Sequence, residues 1–187
     1  LMFDPEIVDA LFAVIAATFI RMFVFEAYTI PTSSMEGSLL VGDFLFVSKV
    51  HYGPRIPNTP LSVPFFHNTI PILNSKSYLE WITLPYKRIQ GHEEIERYDI
   101  VVFNFPAGDT VSLQFNSEIP YYQLIKELGS REAVHQQFDI VYRPVDKRDN
   151  YIKRCVGVAG DTLQIINQVL YINGEEGFVP PHVQFKY

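Results

Sequence analysis

The feature that most constrains the fold is an apolar segment near the start of the chain. Residues 7–28 read IVDALFAVIAATFIRMFVFEAY, and no charged side chain occurs from Ala10 to Ile20. A membrane-spanning helix needs roughly 20 mostly apolar residues. The segment reaches that length only if Asp9 lies at one end and Arg21 extends towards the membrane surface at the other. The sequence therefore predicts a membrane-anchor helix over residues 1–29, and an amphipathic or buried helix of a soluble protein is the alternative.

The remainder of the chain, residues 30–187, has the pattern of a mainly β fold. Apolar side chains at helical spacing predict a helix within residues 117–137. Segments rich in β-branched and aromatic residues predict strands, and they lie at 43–50, 99–105, 138–143, 151–158, 162–166 and 168–172. Two dipeptides predict turns: Gly160-Asp161 between the strands at 151–158 and 162–166, and Asn173-Gly174 after the strand at 168–172.

Composition and charge exclude several classes of function. Hydrophobic residues make up 48% of the 187 residues and charged residues 19%, which excludes a disordered chain. The net charge of −6 argues against nucleic acid as a partner, because binding to phosphates needs a basic face. The single cysteine, Cys155, rules out an intrachain disulfide. The five histidines lack metal-ligand spacing, so we predict no metal site. The chemistry considered below needs no cofactor either.

The first segment that could carry chemistry runs from Ile30 to Lys49 and reads IPTSSMEGSLLVGDFLFVSK. It places hydroxyl side chains on a turn between the apolar helix and a predicted strand. A serine on such a turn can point into a cleft, while a neighbouring hydroxyl and a backbone N–H can stabilise a developing oxyanion. Hydroxyl residues are also common in ordinary turns. The pattern alone does not decide between Ser33 and Ser34 as a nucleophile.

The second segment, Asn150 to Asp161, reads NYIKRCVGVAGD and carries two basic residues in an otherwise apolar strand. An unpaired charge in the core of a strand is costly. Arg154 cannot act as a base, because a guanidinium stays protonated in proteins. A lysine can act as a base, because burial favours its neutral form. Lys153 is therefore the candidate base, and a lysine that extends from an edge strand into water is the alternative.

Taken together, these segments resemble three motifs of bacterial type I signal peptidases. The run IPTSSM resembles the nucleophile motif Pro-Ser-X-Ser-Met, RYDIVVF at 97–103 resembles Arg-Gly-Asp-Ile-Val-Val-Phe, and YIKRCVGVAGD at 151–161 resembles the lysine motif. The motifs follow one another in the family's order. Further matching residues flank the nucleophile motif: Arg21, Phe23, Glu26, Tyr28, Leu39, Gly42, Asp43 and Lys49.

The resemblance implies a role for each matching residue. Ser34 corresponds to the nucleophile and Lys153 to the general base. Thr32 corresponds to the hydroxyl that holds the oxyanion together with the backbone N–H of Ser34. Shallow apolar pockets for small substrate side chains are implied at Tyr28, Ile30, Met35, Leu39, Tyr151 and Ile152. Such pockets suit the Ala-X-Ala pattern at which secretory signal peptides are cut.

The chain departs from the family pattern in three ways. Tyr98 replaces the usual glycine of the second motif, and Ala159 replaces the usual proline of the lysine motif. The family's last motif, roughly Gly-Asp-Asn and then Ser-X-Asp-Ser-Arg, supplies a serine that orients the lysine and is absent up to Tyr187. We expect it to lie beyond that residue. The segments 51–96 and 106–148 match no family motif and are interpreted as irregular insertions.

The resemblance thus implies an antiparallel coiled β-sheet catalytic domain over residues 30–187 with an N-terminal transmembrane helix. The implied function is that of a membrane-bound serine endopeptidase of the bacterial inner membrane, with its catalytic domain on the exoplasmic side. Its partners would be secretory preproteins and membrane lipid. The alternatives are a self-cleaving repressor-type Ser–Lys protease and a non-catalytic membrane-anchored binding protein on the same fold. A dyad of serine with His51 and a nucleophilic Cys155 are alternatives for the chemistry.

Overall fold

The secondary structure of the chain is mainly β in the computed structural model, which describes residues 4–71, 73 and 75–179. The helices are α1 (Pro5–Phe23), α2 (Tyr121–Leu128) and α3 (Arg131–Gln137), with 3₁₀ turns at Ser33–Met35 and Val145–Lys147. The strands are β1 (Phe25–Thr29), β2 (Phe44–Ser48), β3 (Arg55–Ile56), β4 (Thr69–Ile70), β5 (Ser75–Lys76), β6 (Lys87–Arg88), β7 (Ile100–Asn104), β8 (Thr110–Ser112), β9 (Ile140–Tyr142), β10 (Asn150–Arg154), β11 (Leu163–Ile166), β12 (Val169–Ile172) and β13 (Glu175–Glu176).

The strands form several small sheets where one coiled sheet was expected. In the part of the chain that the structure describes, five sheets have two strands and one, β11-β12-β13, has three. The mainly β prediction is confirmed, and the pairs β1–β2, β3–β6, β4–β5, β8–β9, β11–β12 and β12–β13 are antiparallel. Several strands have only two residues. Strands this short cannot extend the pairing into a wide sheet.

The chain divides into two compact units. The first contains the residues up to Thr18, Arg55–Arg88 and Phe103–Tyr151, and the second contains Phe19–Pro54, Ile89–Val102 and the chain from Ile152. The first unit therefore contains most of the two segments interpreted as insertions. The second unit contains the nucleophile motif and most of the lysine motif.

The N-terminal segment forms the predicted helix, but the helix ends earlier than expected. It ends at Phe23, and Phe25–Thr29 forms a strand that pairs residue by residue with Phe44–Ser48. The helix predicted over residues 1–29 is therefore wrong for residues 25–29, because pairing with β2 makes them a strand. Among residues 4–71, 73 and 75–179, no helix combines the length and apolarity needed to cross a bilayer. The predicted transmembrane helix is thus not confirmed.

Turns form near both predicted dipeptides at the end of the second unit. Between β10 and β11, Asp161 N donates to Val158 O at 3.0 Å, so the turn is centred on Ala159-Gly160, one residue before the predicted pair. Asn173 and Gly174 adopt φ values of 55° and 86°, as a two-residue hairpin turn requires. The strand after Asn173-Gly174 has only two residues, Glu175–Glu176, and pairs with Tyr171 and Ile172.

The core of the first unit forms around two short helices where the sequence predicted one. Gly129 has φ of 81° and ends α2, and Ser130 Oγ accepts a hydrogen bond from Ala133 N at 3.1 Å and caps α3. The buried residues of this core are Tyr121, Leu124 and Val134, and they pack against Phe115, Ile119, Ile125, Leu128, Phe138 and Ile140.

We expect Leu124→Ala to destabilise this core. The Leu124 side chain is only 3% exposed, and truncation of a buried leucine to alanine costs about 2–5 kcal/mol of unfolding free energy. Urea unfolding measures the change. Leu79→Ala is the matched control, since Leu79 is 47% exposed and should change stability by no more than about 0.5 kcal/mol. Equal losses for both variants would contradict the assignment of this core.

Candidate active site

Ser34 lies in a loop whose two ends are joined by the β1–β2 pair. Beyond the paired strands, Ile30 N donates to Asp43 O at 3.0 Å, and Gly42 N donates to Ile30 O at 2.9 Å. The antiparallel ladder therefore continues to the base of the loop. Because both ends are fixed, residues 31–41 form a closed loop that begins and ends at the sheet. Ser34 lies in the 3₁₀ turn Ser33–Met35 within it.

The Gly-Asp pair of the motif closes this loop. Gly42 has φ of 94°, which residues with a side chain rarely adopt. The Asp43 carboxylate accepts a hydrogen bond from Leu40 N at 2.8 Å and fixes the preceding turn. The two residues therefore have local structural roles that the sequence pattern alone does not reveal.

The structure brings Ser34 and Lys153 together. Lys153 lies on β10, and its Nζ atom is 2.5 Å from Ser34 Oγ. Thr32 Oγ1 is 3.3 Å from the same Ser34 oxygen. Ser34 and Thr32 are exposed, whereas Lys153 is half-buried. The Ser34 hydroxyl thus contacts an amine and a second hydroxyl at distances that permit proton transfer and hydrogen bonding. Their catalytic roles stay predictions.

The alternative nucleophile and base have other contacts. His51 Nδ1 lies 2.6 Å from Ser48 Oγ, so the histidine contacts a serine at the end of β2. Cys155 is half-buried, and its Sγ donates to Gly157 O at 3.3 Å. Among the residues that the structure describes, no cluster of His, Cys, Asp or Glu is arranged to hold a metal ion.

The residues predicted to bind substrate differ in burial. Ile30 and Met35 are buried, with 3% and 8% of their surface exposed. Tyr28, Leu39 and Ile152 are half-buried in the same unit. Their roles in substrate binding stay predictions.

Tyr151, the remaining residue of this set, has its described contacts within the first unit. Its hydroxyl donates to Ser117 O at 2.9 Å, and its ring stacks on Phe105 with centroids 5.5 Å apart. Burial raises the pKa of the Tyr151 phenol. These contacts anchor the start of β10, and a substrate contact of Tyr151 stays a prediction.

A buried carboxylate, Glu26, connects the helix and the strands that precede and follow the Ser34 loop. Glu26 on β1 is 8% exposed. It accepts hydrogen bonds at 2.8 Å from Arg21 on α1, from Lys49 after β2 and from the Tyr28 hydroxyl. These four residues form the Glu26 cluster. Burial acts to raise the pKa of Glu26, but the charge and hydrogen bond of Lys49, the hydrogen bond of Tyr28 and the charge of Arg21 outweigh it and lower the pKa to about 2.

The sequence pattern assigned Asp161 only to a turn, but in the structure Asp161 also links the second motif to the lysine motif. Asp161 accepts hydrogen bonds from Arg97 Nε at 2.8 Å, from Val158 N at 2.9 Å and from Asn173 Nδ2 at 2.9 Å. The Arg97 guanidinium, the Val158 amide and the Asn173 amide hold the pKa of the Asp161 carboxyl well below its usual range. The presence of Arg97 and Asp161 at the ends of two motifs was the available signal.

Comparison with known proteins gives one family and several relatives. The sequence profile described as "Signal peptidase, peptidase S26" matches residues 6–180. Signal peptidase I of Rickettsia typhi is 27% identical over 171 residues, which are 91% of this chain and 44% of that protein. Signal peptidase I of Haemophilus influenzae is 31% identical over 157 residues, 83% of this chain and 34% of that protein. The chain thus spans less than half of these relatives. No solved structure gives a significant match.

We expect the Glu26 cluster to make folding sensitive to acid. The pKa of Glu26 falls from 4.5 to about 2 on folding. A lowered pKa stabilises the folded state fully above pH 4.5, and this contribution is lost as the pH falls through 2. The loss amounts to about 3 kcal/mol of unfolding free energy. Urea unfolding of the wild type and of Glu26→Gln, at about pH 6 and about pH 2.5, measures it.

The Glu26→Gln variant should be less stable than the wild type at the higher pH and should lose less stability on acidification. Glu94→Gln is the matched control, because Glu94 is exposed and its removal should leave the acid response unchanged. If Glu26→Gln and the wild type lose the same stability between the two pH values, the cluster does not control the acid response.

Proposed function

The chain belongs to the signal peptidase family, peptidase S26, and we propose that it is the catalytic part of a serine endopeptidase that removes signal peptides from secretory preproteins. The relatives named Signal peptidase I support the class of reaction. The observation that carries the proposed mechanism is the 2.5 Å contact between Lys153 Nζ and Ser34 Oγ. An amine at hydrogen-bonding distance from a serine hydroxyl is the arrangement that a Ser–Lys acyl transfer needs.

In the proposed reaction, the neutral amine of Lys153 takes the proton of Ser34 Oγ while this oxygen attacks the carbonyl carbon of the scissile peptide bond. The tetrahedral intermediate collapses, the C–N bond breaks and the leaving amine takes the proton from Lys153. The product is an ester of the signal peptide with Ser34. Water, deprotonated by Lys153, then attacks this ester and restores the serine.

The oxyanion of the tetrahedral intermediate needs hydrogen-bond donors. We propose that the Thr32 hydroxyl and the backbone N–H of Ser34 supply them. The 3.3 Å distance between Thr32 Oγ1 and Ser34 Oγ supports this role, because a carbonyl attacked by Ser34 would have its oxygen close to the Thr32 hydroxyl.

The proposed substrate site is apolar and suits small side chains. Tyr28 and Ile30 lie on and just after β1, and Met35 and Leu39 lie in the Ser34 loop. Ile152 precedes the proposed base on β10. Ile30, Met35, Leu39 and Ile152 have no strong hydrogen-bonding group in their side chains, and the Tyr28 hydroxyl donates to Glu26. This supports a preference for Ala-X-Ala sites over polar ones.

We propose that the protein acts at the bacterial inner membrane, with the catalytic part on the exoplasmic side and α1 in contact with lipid. The support is the exposure of apolar side chains along α1, including Leu11 at 59%, Phe12 at 73% and Ile15 at 59%. Exposed apolar surface on this scale is typical of membrane-contacting segments. Attachment to the membrane would raise the concentration of the enzyme around its preprotein substrates.

Vesicle flotation tests the lipid contact. The chain is mixed with vesicles of phosphatidylethanolamine and phosphatidylglycerol and centrifuged in a density gradient. A double variant with Phe12→Asp and Ile15→Asp should bind vesicles at least about tenfold more weakly, because aspartate is costly in the hydrocarbon region. Tyr122→Asp, at a residue 63% exposed on α2, is the matched control. Equal flotation of both variants would exclude α1 as the contact.

Cleavage of a model preprotein tests the enzyme. The full-length protein in detergent should cut an Ala-X-Ala site after the second alanine. Ser34→Ala and Lys153→Ala should each lower kcat by at least about 10³-fold. When residues act as one catalytic unit, removing any one of them abolishes most of the rate acceleration. Ser33→Ala is the matched control and should keep kcat within about tenfold of the wild type. Initial rates of product formation give these values.

Thermal unfolding checks that both inactive variants are folded. An inert wild type, or a Lys153→Ala variant that cuts at the wild-type rate, would contradict the proposed function. The alternative function, a non-catalytic binding protein on the same fold, would then be favoured.

A further inference from the structure

Arg154 is a charged residue of the lysine motif that has no part in the proposed chemistry. It follows Lys153 on β10, and its side chain is half-buried. Its Nη1 donates to the carbonyl oxygen of Tyr98 at 2.9 Å, and its Nη2 donates to Ser38 Oγ at 2.6 Å. One guanidinium therefore joins the segment before β7 to the loop that carries Ser34.

Ser38 is connected to Ser34 by the backbone of the loop. The carbonyl of Met35, the residue after Ser34, accepts hydrogen bonds from Ser38 N at 3.0 Å and from Leu39 N at 2.8 Å. Glu36 N donates to Ser33 O at 2.9 Å in the same turn. A displacement of Ser38 would therefore be transmitted to the 3₁₀ turn that contains Ser34.

Few apolar side chains of the Ser34 loop are buried, so packing alone fixes its position weakly. Within the loop, Met35 is buried and Leu39 is half-buried, while Ser34 and Ser38 are exposed. Exposed loops with few buried contacts open at low free-energy cost. The contacts of the loop with β10 are therefore expected to matter for the position of Ser34.

We propose that Arg154 is a positioning residue that holds the Ser34 loop against the strand that carries Lys153. This inference rests on the proposed function. Two successive side chains of β10 contact the loop at two points, Lys153 at Ser34 and Arg154 at Ser38. The second contact restricts the motion of the loop and keeps the Ser34 hydroxyl within reach of the base.

Arginine suits this role better than lysine. The guanidinium presents several N–H donors in a fixed plane, so Nη1 and Nη2 can bind two acceptors in two directions at once. A lysine at position 154 could reach the Tyr98 carbonyl or the Ser38 hydroxyl, but its flexible ammonium would not fix their separation. Arg154→Lys should therefore restore only part of the function lost in Arg154→Ala.

Steady-state kinetics of the full-length protein on the model preprotein test the inference. Arg154→Ala should lower kcat about 10- to 100-fold with KM within about twofold, because a displacement near 1 Å costs up to about 100-fold without a change in substrate contacts. Ser38→Ala should lower kcat in the same direction by a smaller factor. The double variant should be no slower than Arg154→Ala, since both changes remove one shared contact.

Two further variants separate positioning from general destabilisation. Arg154→Lys should have kcat between those of the wild type and Arg154→Ala. Arg88→Ala is the matched control, since Arg88 is exposed on β6, and it should keep the wild-type kcat.

Amide hydrogen exchange tests the contact without using activity. The amides of Ser38 and Leu39 should exchange faster in Arg154→Ala and in Ser38→Ala than in the wild type, while the amide of buried Val134 should not change. Ser38→Ala removes one hydroxyl from an exposed residue and carries this test if Arg154→Ala does not fold. Unchanged exchange at Ser38 and Leu39 would overturn the inference.

The two proposals fail in different ways. An active wild type whose Arg154→Ala and Ser38→Ala variants keep the wild-type kcat overturns the positioning role alone. Kinetic effects of Arg154→Ala and Ser38→Ala that multiply in the double variant also overturn it, because the two residues would then act separately. An inert wild type contradicts the proposed function and, with it, the catalytic part of this inference.

Discussion

The antiparallel pairing of β1 (Phe25–Thr29) with β2 (Phe44–Ser48) is the interaction on which the candidate site depends, because it fixes both ends of the Ser34 loop. The Glu26 cluster lies on the same strand pair and makes its register specific. A shift of one residue would turn Glu26 to the other face of the strand and separate it from Arg21 and Lys49. A buried carboxylate without partners costs several kcal/mol. The Glu26 cluster therefore helps to determine where the Ser34 loop begins and ends.

Elements determined by local sequence were predictable. The strands at Phe44–Ser48 and Ile100–Asn104 and the turn at Asn173-Gly174 follow from β-branched and aromatic patterning and from a turn dipeptide. The contact of Ser34 with Lys153 joins residues 119 positions apart, and no spacing rule predicts such a pair. It was anticipated only because two motifs resemble those of a family, and the family match confirms that resemblance.

The errors arose where tertiary contacts or overlooked local signals decide the structure. The apolar run suggested a helix beyond Phe23, but pairing with β2 made Phe25–Thr29 a strand. Periodicity within 117–137 suggested one helix and overlooked Gly129, whose left-handed conformation ends α2. The dipeptide Gly129-Ser130 carries both a stop signal and a helix cap, so this break was readable from the sequence. The division of the strands into several small sheets depends on long-range packing and could not be predicted from the sequence.

Tyr98 explains what the family's glycine at this position contributes. Its φ of 75° lies in the left-handed region, which costs a residue with a side chain about 1–2 kcal/mol. Contacts of the side chain offset that cost, because the ring packs edge-on against Phe178 at 5.5 Å and the hydroxyl accepts a hydrogen bond from Phe178 N at 3.0 Å. The contact with Arg154 uses the backbone carbonyl of Tyr98. The motif therefore specifies a backbone conformation here, and a tyrosine that adopts it keeps the acceptor that Arg154 needs.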